Sequence, residues 1–351
     1  MKKTVFLASL LALTFTGCSN DYEMPNEQSQ SDLIPISVKE MMEIPEGTRA
    51  AYTGNTPNAT KPFHAYVLVS ETNGDYSTLY QDTPGNTRYS VEWVSTNNTG
   101  FYEGVYYYPQ KTSIMQSLYV CGFYPYSYSD GATTVGWAAN GGIPTLTGGN
   151  SIVGTIDGKT DLLAAPQVQA TVGIDGSVTQ PTLTFAHLGT WLTIKVKAKT
   201  NRDKTATQWG KLKGIEVNSV LGKSIANKAT LSLSTGTAVW NGTQTALPTF
   251  NSSDQPFNNA ALDIPLEATE VSYVILPAFT STQTNDFSLS VTTTKASVDK
   301  TTTIPVSLNT AANTAGKHIT LTLSFGGEGE LQILPSVAIT KWTDENASAD
   351  I

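Results

Sequence analysis

No stretch of this 351-residue chain repeats its apolar residues with the period of a useful amphipathic helix, whereas segment after segment alternates apolar and polar residues between Gly, Pro and Asn. Alternation turns one face of a segment toward a core and the other toward water, the pattern of a β-strand. The clearest case is 183–197, Leu-Thr-Phe-Ala-His-Leu-Gly-Thr-Trp-Leu-Thr-Ile-Lys-Val-Lys, read as one long strand. Further strands are expected at 63–70, 89–94, 101–108, 116–124, 162–165 and 168–172. The second half adds segments near 214–220, 229–234, 271–276, 286–293, 301–308, 317–325 and 331–342. Residues 76–80 are placed to pair with 63–70 after the turn Asn73-Gly74-Asp75, and 129–160 reads as loop with short strands at most. Single helical turns are expected only at 41–46 and 256–261. This is all-β, sandwich-type material, and the length suits two domains or one large one. The polar, Lys-rich stretch 198–211 is taken as the boundary, giving domains at 50–200 and 201–351.

Charged residues make up 14% of the chain, with a net charge of −8 and a pI near 4.9. A nucleic-acid binder needs a basic stripe, so that class of partner is excluded. The two cysteines are Cys18 and Cys121. Cys121 sits in an apolar strand, where a lone cysteine is a small buried hydrophobe. A catalytic thiol needs a histidine partner, and His64, His187 and His318 are scattered through unrelated strands. The residues therefore offer no catalytic set, no cofactor site and no metal site. His187, between Phe185 and Leu188, reads as a packed or capping histidine rather than a ligand. Tyr106, Tyr107, Tyr108, Tyr124, Tyr126 and Tyr128 suit either a sugar-stacking platform or a sandwich core and its rim, and the core reading is preferred.

The chain starts with Met1, Lys2 and Lys3, then an apolar run from Val5 to Phe15, then Thr16, Gly17 and Cys18. A basic start, a short hydrophobic core and a small-residue exit are the layout of a secretory signal peptide, here 1–17. The exit Leu13-Thr14-Phe15-Thr16-Gly17-Cys18 resembles the bacterial lipobox, with Phe15 in place of the usual Leu, which makes Cys18 the lipidated residue. Two or three acyl chains such as palmitate bury many methylenes at about 0.8 kcal/mol each, enough for a stable anchor in the outer membrane. Residues 18–49 are then a lipidated tether that carries one short strand. In that strand, at 33–40, Ile34, Ile36 and Val38 share a face, and it leads into a polar, Gly-containing loop with Arg49 and Ala50. Exposed loops are where proteases cut.

Taken in order, four places resemble the fimbrillins, the lipoprotein pilins of Bacteroides-type bacteria that build type V fimbriae. They are Cys18 with the Arg49-Ala50 loop downstream; Asp161-Leu162-Leu163-Ala164-Ala165, with Ala164 where the family has an aromatic; Phe185-Ala186-His187-Leu188 with the strand after it; and the C-terminal half. That half contributes Val274-Ile275-Leu276-Pro277, Ala315-Gly316-Lys317-His318-Ile319-Thr320-Leu321 and Val337-Ala338-Ile339-Thr340-Lys341-Trp342. The resemblance implies two tandem transthyretin-like β-sandwich domains, export to the outer membrane surface, cleavage of Arg49-Ala50 by an arginine-specific protease, and polymerisation with other pilin subunits by strand exchange. It leaves the adhesion receptor and the place of the subunit in the fibre open.

Elementary energetics is compatible with such a mechanism. A strand carrying Ile34, Ile36 and Val38 buries about 1.5 to 3 kcal/mol per side chain, so a groove vacated after cleavage is driven to refill. Ile333, Val337 and Ile339 make 331–342 the candidate donor strand for a neighbouring subunit. Head-to-tail donation does not close on itself and yields a filament. The competing readings are a permanent N-terminal strand in a monomer and a monomeric, glycan-binding surface lipoprotein.

Overall fold

The computed structural model describes residues 37–42, 63–80, 90–93, 99–102, 116–125, 136–140, 143–175, 177–179, 181–199, 202–220, 224–279, 287–306, 314–326, 331–333 and 338–341. All of them belong to the unit Pro35–Ile351. The chain is all-β, in several mainly antiparallel sheets, with one short helix among the described residues.

Strand Phe63–Ser70 shows why the first half folds as it does. Ala65, Val67 and Val69 enter one apolar cluster, whereas Tyr66 and Leu68 enter another on the opposite face. A strand buried on both faces is apolar along most of its length, as this one is. Its neighbours form a closed circuit. Leu163–Val172 pairs with Thr182–His187, which pairs with Ser37–Met42, then Thr99–Tyr102, Ser90–Trp93, Phe63–Ser70 and Gln116–Tyr124. Gln116–Tyr124 pairs back to Leu163–Val172, so the seven strands make a ring.

Over one side of the ring lies a smaller sheet with the order Ala238–Asn241, Lys228–Ser232, Ser151–Thr155, Gly136–Trp137. Trp137, Ile152, Ala229 and Leu231 from this sheet meet Tyr66, Leu68 and Phe123 from the ring. Phe123 lies between Tyr66, 5.0 Å away and tilted by 31°, and Trp137, 5.5 Å away and edge-on at 71°.

The second half is a two-layer sandwich. One layer has the order Thr269–Leu276, Thr190–Ala198, Lys317–Phe325, with Leu331–Ile333 and Ala338–Lys341 both on the outer side of Lys317–Phe325. The other has the order Ala246–Pro248, Lys211–Asn218, Phe287–Lys295, Val298–Val306. Leu192, Ile194, Leu321 and Leu323 from the first layer pack against Ile215, Val217, Leu289 and Val291 from the second.

Several sequence expectations are corrected. The segment 183–197 is two strands in two different sheets, Thr182–His187 in the ring and Thr190–Ala198 in the sandwich. The break falls at Leu188 and Gly189, where a Cβ on residue 189 would stand 2.9 Å from the Leu276 carbonyl oxygen, so only glycine lets the chain turn there. Conversely, 162–165 and 168–172 belong to one strand, Leu163–Val172, which runs through Pro166. The ladder shifts register between Ala165 and Val168, so the missing proline N–H costs no regular pairing.

The polar stretch at 198–211 contains the helix Arg202–Trp209. Its anchor is Trp209, which is buried edge-on against Phe325 at 5.4 Å and donates from Nε1 to the Gly326 carbonyl at 3.2 Å. The helical turn expected at 256–261 does not form; that stretch is irregular chain with isolated bridges at Pro256 and Leu262. Of 41–46, Met41 and Met42 belong to a strand and 43–46 lie outside the described residues. Residues 76–80 are not a strand: Thr72 bridges Asp75 in a tight turn and Tyr76 is buried. Ser90–Trp93 and Thr99–Tyr102 are strands, while 89, 94 and 103–108 lie outside the described residues.

Candidate strand-exchange site

The strand Ser37–Met42 occupies an unusual place for an N-terminal segment, because it closes the ring. Its last four residues run parallel to Thr182–His187, with Lys39 opposite Thr182, Glu40 opposite Leu183, Met41 opposite Thr184 and Met42 opposite Phe185. Its first three run antiparallel to Thr99–Tyr102, with Ser37 opposite Phe101, Val38 opposite Gly100 and Lys39 opposite Thr99. Only Lys39 is paired on both sides, so the strand is a staggered bridge between two edges. Without it, both edges would present unpaired backbone groups, a template for another strand. A parallel neighbour normally needs a long crossover, and here the strand reaches Thr182–His187 from the far end of the sequence.

Of Ile34, Ile36 and Val38, expected to share a face, Val38 lies in the strand Ser37–Met42, and Ile34 and Ile36 fall outside the described residues. Cys18, Arg49 and Ala50 also lie outside the described residues.

The interior of the ring beside this strand is apolar. Leu183 and Phe185 are buried with Ala65, Val67, Val120 and Leu163. Phe185 rests over Gly122 of the Gln116–Tyr124 strand, where a Cβ would come within 2.7 Å of Phe185 Cζ. Where Thr182–His187 meets Leu163–Val172, the His187 imidazole and the Asp161 carboxylate are 2.7 Å apart (Nδ1 to Oδ2), both side chains fully enclosed. In the tautomer with its proton on Nδ1, the imidazole donates to the carboxylate oxygen. His187 thus joins the residues its sequence setting suggested, as a packed and hydrogen-bonded group. The Asp161 partnership was not legible beforehand; only the position of Asp161 just before an apolar strand hinted at a role.

Tyr124 packs against the ring core, and burial, followed by the nearby Asp161 charge, pushes its phenol up to about 12. Burial likewise pushes the Cys121 thiol up to about 12, so it stays protonated at neutral pH. Tyr106, Tyr107, Tyr108, Tyr126 and Tyr128 lie outside the described residues. Among the described residues no group of three or more His, Cys, Asp or Glu is placed to hold a metal ion.

At the other end, the described parts of the candidate donor segment 331–342 are the strands Leu331–Ile333 and Ala338–Lys341. Both pair antiparallel with Lys317–Phe325 of their own chain, Ile333 opposite Leu323 and Ile339 opposite Ile319. The two pieces are out of register by two residues, and Val337 lies between them, outside the described residues. They form the outer edge of the sandwich layer.

A profile of the family described as Fimbrillin-like matches residues 48–342, and the chain belongs to that family. Among solved structures, a candidate cell adhesion protein from Bacteroides uniformis superposes with a TM-score of 0.54 at 16% identity, covering 90% of this chain and 100% of that one. A fimbrial protein from Bacteroides vulgatus superposes with a TM-score of 0.50 at 13% identity, covering 88% and 99%. At such identities the likeness is one of fold. Comparison with curated proteins gave no match.

Proposed function

We propose that this chain is a structural or accessory subunit of a cell-surface fimbria that serves adhesion, assembled by proteolysis-triggered strand exchange. In this reading Cys18 carries the acyl chains that hold the precursor in the outer membrane. An arginine-specific protease cuts the Arg49-Ala50 bond, and the freed Ser37–Met42 strand leaves the ring. A strand of another pilin subunit, with 331–342 as the candidate donor, refills the place. The same reading takes the mature chain as two tandem transthyretin-like domains, but the dividing line expected at 200 is not kept, because Thr190–Ala198 pairs with strands of the second half and Lys228–Ser232 pairs with Ser151–Thr155 of the first.

The observation that carries the proposal is the position of Ser37–Met42. It precedes Arg49 in the chain and completes the ring by pairing with both edges. Its departure leaves two edges and an apolar interior that contains Leu183 and Phe185, an arrangement strongly driven to recruit a replacement.

The test is processing and assembly of Arg49→Ala. Wild-type protein treated with an arginine-specific protease gives ladders on a denaturing gel, and Arg49→Ala stays full-length and monomeric. Equal assembly by both proteins removes cleavage at Arg49 as the trigger.

A further inference from the structure

The strand that forms one wall of the proposed trough is tied to the rest of the ring at one end only. On one side of Thr182–His187, residues 182–185 pair with Ser37–Met42. On the other side the ladder to Leu163–Val172 has two residue pairs, Ala186 with Ala164 and His187 with Leu163. Just beyond that ladder, the Leu188 N–H donates to the Leu162 carbonyl at 2.9 Å. At the same point His187 Nδ1 meets Asp161 Oδ2 at 2.7 Å, out of contact with water. Asp161 stands just before one strand and His187 is the last residue of the other, so this bond closes the end of the ladder. Hydrogen bonds to an ionised group are among the stronger side-chain ties, and a low local dielectric strengthens them.

We infer that Asp161 and His187 are positioning residues that hold the acceptor edge, 182–185, in place when its partner strand departs. The geometry stands by itself, and its use in assembly rests on the strand-exchange reading above. Departure of Ser37–Met42 removes every ladder partner that 182–185 has among the described residues. Leu183 and Phe185 are still held by their packing over Gly122, but a strand fixed through two residue pairs at one end frays from the other. The buried bond stops that fraying from passing through Ala186 and His187. An incoming strand then meets an ordered wall, and the cost of ordering that wall is not subtracted from its binding.

Two arms test this. In the uncut full-length chain, amide hydrogen exchange is followed in wild type, Asp161→Asn, His187→Leu and His187→Asn. The asparagine amide offers a donor near the place of Nδ1 and serves as the conservative variant. Exchange at 183–187 is expected to rise by about tenfold or more in Asp161→Asn and His187→Leu. In both variants exchange at 319–323 of the sandwich stays near wild type, and His187→Asn recovers much of the protection. A uniform rise across the chain, or no rise at 183–187, overturns the inference.

In the second arm, a specific protease site replaces residues 48–51, the chain is cut, and a synthetic peptide covering 33–46 is offered. Wild type exchanges its own strand for the peptide, and His187→Leu binds it about tenfold more weakly. Equal binding by the two overturns the assembly role of the pair. A cut wild type that never exchanges its strand overturns the strand-exchange reading itself, while the first arm still decides whether the pair positions the edge.

Discussion

Phe185 lies directly over Gly122: a Cβ added to residue 122 would stand 2.7 Å from Phe185 Cζ and 3.0 Å from Leu183 Cδ1. Both contacts come from the strand that pairs with Ser37–Met42, so the glycine sets how closely that strand approaches Gln116–Tyr124 across the ring interior.

Gly122→Ala should therefore destabilise the protein by about 1 to 3 kcal/mol, because a methyl group inserted into a filled core forces its neighbours off their preferred positions. The urea unfolding midpoint measures this. A midpoint equal to wild type would mean that Phe185 has room to move away.

Lys39 is the residue of Ser37–Met42 that is opposed on both sides, by Thr182 and by Thr99. Lys39→Pro removes a backbone donor where neither side is an open edge, a position proline does not tolerate. The expected loss is about 1 to 3 kcal/mol, read as a lower denaturation midpoint, together with faster proteolysis of the N-terminal strand. Unchanged proteolysis of that strand would argue against the observed register.

His318 stacks on Trp191 with ring centres 4.4 Å apart and planes at 23°, and its Nε2 is 2.9 Å from the Thr193 hydroxyl. Burial first, and the Lys195 charge second, lower its pKa from 6.5 to about 4. The unfolded chain therefore takes up this proton near pH 6.5 and the folded chain only near pH 4. Between those values the unfolded state binds more protons, so stability is full above pH 6.5 and falls as the pH drops toward 4. His318→Gln should flatten that part of the profile, measured as the urea midpoint against pH. Asp75 and Asp299, both lowered from 3.8 by hydrogen bonds, lose their contributions only below the window. The same slope in wild type and variant would assign the effect elsewhere.

Much of the strand inventory was legible in the residues. The segments 63–70, 116–124 and 317–325 are strands with those very limits. Each alternates or is continuously apolar because its faces are buried, and burial is what alternation records. The helix Arg202–Trp209 was not legible, since it has a single large apolar anchor, Trp209, whose partner Phe325 is far along the chain. The candidate site was legible in half. A short N-terminal strand and an interesting His187 could be named, but neither the ring nor Asp161 as the partner of His187 could.

The sequence by itself determined that this chain makes short β-strands, roughly where they lie, and which residues face a core. Those properties depend on side-chain alternation over a few neighbours, and that information is local. Only the tertiary structure decided that 183–197 splits at Gly189 between ring and sandwich, and that Lys228–Ser232 joins Ser151–Thr155 from the first half. It also decided that Ser37–Met42 is the bridge that closes the ring, parallel to Thr182–His187. Strand pairing is made through backbone groups that every residue carries alike, so the choice of partner is settled by which distant faces can be buried together.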